Sequence, residues 1–137
     1  MGIEGVLKVG IAVKDLDKAT NRFAELVGVE TLGSVEHEPL EMKYDVCNLG
    51  NVMIEFVQST TPGGPLARFI NKRGEGLQHI TLKVTEIEKE IRRLQEKGVE
   101  FVDEVPKEVD SSFGKLRYVF ARPDSFNGVL VQLMEVL

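Results

Sequence analysis

Apolar and polar positions alternate strictly in two stretches of the chain. Val9, Ile11 and Val13 are separated by Lys8, Gly10 and Ala12, and Ile80, Leu82 and Val84 by His79, Thr81 and Lys83. A period of two predicts a half-buried strand at each place. The period then changes to that of a helix. Leu16, Ala19, Phe23 and Leu26 form one apolar stripe, and Ile87, Ile91 and Leu94 form another. Asp15 is placed to cap the first helix. Thr85 and Glu88 fit a capping box at the start of the second. Gly28 and Gly98 follow the helices, where a left-handed residue ends the turn. Three further strands complete each half: residues 30–35, 42–49 and 52–57, then 100–104, 116–121 and 128–135. The Gly- and Pro-containing stretch 59–65 joins the halves, and a short helix over 66–72 follows it.

The two halves are copies in pattern. At an offset of 71, Lys8 falls on His79 and Val13 on Val84; at 70, Gly28 falls on Gly98; at 77, residues 52–56 fall on 129–133, so that Glu55 meets Gln132. Small changes in loop length account for the drift. The fold class that follows is α+β: two β-α-β-β-β modules forming a cupped mixed sheet. One sheet with one helix covers a single face, so the open faces are expected to line the cup. Val9, Ile11, Ile54, Phe56, Ile80, Leu82, Val131 and Leu133 claim the helix-covered face. Parity therefore sends Lys8, Glu55, His79 and Gln132 to the open one.

The chain has 137 residues, which predicts a single domain with the repeat over 1–60 and 76–137 and a linker with its short helix over about 61–75. A net charge of -5 argues against a general nucleic-acid binder, although Arg68, Lys72 and Arg73 lie close together. The lone Cys47 excludes an internal disulfide and a multi-cysteine zinc site. The start of the chain has no signal-peptide pattern, and no apolar run is long enough to span a membrane. A cytoplasmic protein is expected.

Three segments carry a resemblance: "VGIAVKDLDKA", "IEFVQSTTPGGPLARFINKRGEGLQHITLKV" and "GVLVQLME". They resemble the methylmalonyl-CoA epimerases of the vicinal-oxygen-chelate superfamily, which also holds glyoxalases, bleomycin-resistance proteins and ring-cleaving dioxygenases. The similarity runs from about Leu7 to Glu135. The resemblance implies epimerisation of the alpha carbon of a small acyl-CoA through a stabilised enolate. It also implies a homodimer and a divalent metal (cobalt, manganese, nickel or zinc). Its ligand positions fall on Lys8, Glu55, His79 and Gln132. Glu55 and His79 match the family's pattern, and Gln132 can ligate through its amide oxygen.

Lys8 stands where the family has a histidine, and an ammonium has three donors and no acceptor. The residues therefore also admit a second reading, in which Lys8 and Glu55 form an ion pair in the metal's place. Gln132 stands where the family has a glutamate, and an amide cannot serve as a base. A second acid–base residue of the family lies before the third strand, where this chain has Glu38 and Glu41. Lys8 can in principle stabilise an enolate oxygen electrostatically. Two other functions compete: a metal-free protein that sequesters a small molecule in a cup lined by Met53, Val57, Leu130 and Met134, and a glyoxalase-type lyase.

Overall fold

A computed structural model describes residues 2–111 and 114–137. The chain forms two compact units. One comprises residues 8–78, and the other comprises residues 2–7 together with 79–111 and 114–137. The strands run β1 (Ile3–Ala12), β2 (Val35–His37), β3 (Met42–Leu49), β4 (Val52–Ser59), β5 (Gly76–Val84), β6 (Lys107–Ser111), β7 (Gly114–Ala121) and β8 (Leu130–Val136). The helices are α1 (Leu16–Val27), α2 (Pro65–Arg73) and α3 (Ile87–Glu96). The fold is mixed α+β, and each unit is a β-α-β-β-β module, as the alternation predicted.

In the first unit the strand order is β2-β3-β4-β1, with β1 and β4 parallel and the other pairs antiparallel. In the second it is β5-β8-β7-β6, with β5 and β8 parallel. The registers repeat. Lys8 lies beside Met53 and Gly10 beside Glu55; His79 lies beside Leu130 and Thr81 beside Gln132. The offsets read from the sequence are thus offsets between equivalent places in two sheets.

One face of each sheet is sealed by its helix. In the first unit Val13, Leu16, Cys47, Ile54 and Phe56 are buried with Val9, Ile11, Ala19 and Phe23 packed on them. The Phe23 ring meets Phe56 edge-on at 4.8 Å. Leu26 was expected on this stripe but is 63% exposed, because the buried part of the stripe ends at Phe23. In the second unit Val84, Ile87, Ile91, Leu94, Val119, Val131 and Leu133 form the equivalent core. Burying a side chain such as Phe56 or Leu133 contributes about 1.5–3 kcal/mol. In the first unit α2 covers the far end of the other face, where Ala12, Val57 and Leu66 are buried with Tyr44, Phe69 and Ile70 against them.

Asp15 caps α1 as expected: its carboxylate accepts from Lys18 N at 3.1 Å, and Gly28 ends the helix with φ of 76°. The expected capping box on α3 does not form. Its N-cap is Glu86, in a left-handed conformation, with no side-chain cap. Thr85 N instead donates to Gly2 O at 2.8 Å, and Glu88 is taken by Arg117. Tertiary partners outcompete the local pairing.

Two expected strands shift. Residues 30–35 are not a strand: Gly33 has a φ of 111°, and its N–H donates to the Asp45 carboxylate at 2.9 Å rather than to a backbone ladder. The strand β2 starts only at Val35. Residues 100–104 make a single bridge, Phe101 to Ala121, and the strand β6 lies beyond Pro106. With mostly polar side chains and a position at the sheet edge, β6 shows no alternation to read. The expected helix over 66–72 is α2, one residue longer at each end.

Candidate functional site

The four positions singled out by the repeat divide between the units, Lys8 and Glu55 in one and His79 and Gln132 in the other. All four are buried.

In the first unit Lys8 Nζ stands 3.0 Å from Glu55 Oε2, and the two residues are only 8% and 3% exposed. The strands fix this meeting. Lys8 lies beside Met53 on the parallel pair β1–β4, two residues before Glu55 on the same face. Tyr44 shares this face, opposite Val57. Burial first, and then the negative charge of Glu55, push the Tyr44 phenol above its usual range. The sequence reading did not single out Tyr44, although the parity of β3 against β4 carries that signal.

In the second unit the Thr81 hydroxyl, fully buried, donates to Gln132 Oε1 at 2.7 Å. Its equivalent in the first unit is Gly10, which has no side chain to offer Glu55. Thr81 was also missed, and the offset of 71 would have found it. The His79 ring meets Phe120 edge-on, with centroids 5.8 Å apart. Phe120 in turn meets Tyr118 at 6.0 Å. Burial, followed by the charge of Asp103, pushes the Tyr118 phenol up to about 12.

The two glutamates before β3 differ in setting. Both are exposed, and Glu38 opens a single 3-10 turn. Glu41 ends that turn in a left-handed conformation, φ 51° and ψ 47°. Its carbonyl accepts from Thr60 N at 2.9 Å, and its carboxylate accepts from the Thr61 hydroxyl at 3.3 Å. Gly64 leaves room for that carboxylate, since a Cβ there would stand 2.9 Å from Oε2. A non-glycine residue in this backbone region costs on the order of 1–3 kcal/mol and persists only where its surroundings hold it.

Within the first unit, the paired ammonium of Lys8 and carboxylate of Glu55 do not fit a divalent metal. The carboxylate accepts the ammonium, and in the second unit the Gln132 carbonyl accepts a hydroxyl. Among the described residues no group of three or more His, Cys, Asp or Glu side chains is placed to hold a metal ion. Cys47 is buried, with its thiol pushed up by burial, and has no place in the site. No described helix is long and apolar enough to cross a membrane.

Known proteins place this architecture. The profile of the Glyoxalase/Bleomycin resistance protein/Dioxygenase superfamily matches residues 7–118. Uncharacterized protein YqjC of Bacillus subtilis (strain 168) is 28% identical over 93% of this chain and 89% of its own length. The mitochondrial methylmalonyl-CoA epimerase of Dictyostelium discoideum is 30% identical over 98% of this chain and 80% of its own. The crystal structure of methylmalonyl-CoA epimerase from Mycobacterium tuberculosis superposes with a TM-score of 0.90 at 26% identity, covering 98% of this chain and 89% of that one. By this agreement of sequence profile, relatives and fold, the chain belongs to the glyoxalase/bleomycin resistance protein/dioxygenase superfamily, and methylmalonyl-CoA epimerases are among its homologues.

Proposed function

We propose that the protein removes the proton beside the carbonyl of a small acyl-CoA, in the manner of a methylmalonyl-CoA epimerase. The observation that carries this reading is the near full-length relationship to such epimerases. A proton-abstracting step needs a carboxylate held in place and an electropositive group for the oxygen of the enolate. Glu41 is the carboxylate we assign. Glu38 and Glu41 are both exposed, but the Glu41 turn is tied to Thr60 and its side chain to Thr61. Proton loss to Glu41 leaves the electron pair of the broken C–H bond on the thioester oxygen as an enolate. Gln132 cannot return a proton to the opposite face, so another group has to supply it. Pairing into homodimers belongs to the same proposal and is read by light scattering.

A second reading, sequestration of a small molecule without turnover, is favoured by one feature. The position that would hold a proton-transferring glutamate is an amide already engaged by Thr81. The test is α-proton exchange of methylmalonyl-CoA in deuterated water, followed by NMR together with the configuration of the recovered thioester. Exchange with inversion, lost in Glu41→Gln, is the expected result. Exchange without inversion would leave a deprotonating enzyme of another kind. Saturable binding of acyl-CoA with no exchange would select sequestration.

A further inference from the structure

We propose that Lys8 is a built-in cation: its ammonium, held by Glu55, takes the part that the family resemblance gives to a divalent ion and binds an anionic oxygen of the ligand. The argument begins with the cost of the arrangement. Only 10% of the Lys8 side chain and 4% of the Glu55 side chain are exposed. An ammonium carries three N–H donors. Among the described residues the ammonium of Lys8 donates to Glu55 Oε2 alone, at 3.0 Å. Two donors of a nine-tenths buried cation are thus left over, and buried donors in native proteins are satisfied as a rule. A ligand oxygen bearing negative charge satisfies them.

The neighbours agree with this assignment. Ala12, Val57 and Leu66 wall one end of the same face with apolar surface. A low-dielectric wall strengthens the attraction between an ammonium and an oxyanion. Glu55 fixes the ammonium in position, so little reorganisation is needed when charge develops on the ligand. Gly10, beside Glu55 in the strand pairing, brings no side chain to compete. A divalent ion in this unit would have to sit against the ammonium, and the two like charges repel.

The ligand class follows: an acyl compound with a carboxylate, or with a carbonyl oxygen that becomes an enolate. The enolate half of this statement rests on the proposed function; the exclusion of metal does not. The chain, purified without chelator, is titrated with cobalt, manganese, nickel and zinc by calorimetry, and its melting temperature is followed with each ion. The wild type and Lys8→Arg are expected to bind no divalent ion and to melt unchanged. Stoichiometric metal in the wild type overturns the proposal, as does a Lys8→Gln variant that exchanges the α-proton at the wild-type rate. In the exchange assay Lys8→Gln is expected to lose about a hundredfold in rate, the cost of removing one preorganised oxyanion donor. Absence of exchange in the wild type sinks the acyl-CoA reading alone, since the metal titrations stand without it.

Discussion

Replacing Lys8 by methionine keeps the length of the side chain and deletes its charge. At 3.0 Å and an effective dielectric constant near 20, the pair attracts by about 5.5 kcal/mol before any cost is counted. Desolvation of both groups consumes much of this, so the pair as a whole contributes little net stability. Breaking it is another matter. With Glu55 only 3% exposed, its carboxylate would remain buried without its ammonium, at a cost of about 3–5 kcal/mol. For a chain of this size that corresponds to a melting temperature lower by about 12–20 °C. Glu55→Met should cost a similar amount by stranding the ammonium. The double variant Lys8→Met with Glu55→Met removes both charges, and it should melt within a few degrees of the wild type or above it. Urea unfolding followed by circular dichroism measures all three. Singles costing under about 1 kcal/mol, as exposed pairs do, would refute the burial argument. A double variant whose loss equals the sum of the singles would refute the coupling.

Two further expectations concern the second unit. Burial alone would raise the Glu90 carboxyl, but hydrogen bonds from Arg93 Nε and the Gly2 N–H outweigh it, and the net direction is down. A carboxyl lowered in the folded state adds stability above its ordinary value of about 4.3, and that stability is lost as the pH falls through the folded value. Wild type and Glu90→Gln should therefore differ in urea midpoint at neutral pH and converge in acid; a constant gap would contradict the assignment. Arg117 pairs with Glu88, Glu108 and Glu135, tying α3 to β6 and β8. Arg117→Ala should cost about 1.5–3 kcal/mol and speed amide exchange in the first turn of α3.

The architecture was legible because its strongest signals are local. The alternation of Val9, Ile11 and Val13, the cap at Asp15 and the turn at Gly28 depend on near neighbours in the chain, and each appears where the pattern placed it. What escaped depends on distant partners. The strand β6 is defined by its ladder to β7, and its own residues, Lys107 to Ser111, show no apolar face. The Asp45 carboxylate that takes the Gly33 N–H is twelve positions away in the chain. At the site, Lys8 and Glu55 were reachable through the repeat, and their meeting required only parity. The hydroxyl of Thr81 on Gln132 was within reach of the same offset, yet a threonine in a strand carries no chemical signature by itself. The proposed assignment of Glu41 over Glu38 draws on its turn and the contacts of its side chain, which the sequence does not display.

The division of β1 bears on how such a protein could have arisen. Residues 2–7 pack with the second unit, where Gly2 O receives Thr85 N at 2.8 Å and Ile3 joins the core under α3. A Cβ at Gly2 would stand 2.6 Å from Thr85 O, so this seat accepts glycine alone without adjustment. If the halves descend from a duplicated gene, the second copy has since recruited a piece of the first. A fragment beginning at the linker would then lack a part of its own fold. It should stay largely unstructured until a peptide carrying residues 2–7 is supplied in trans. On that history, the two copies of the motif could no longer be separated by a cut at the linker.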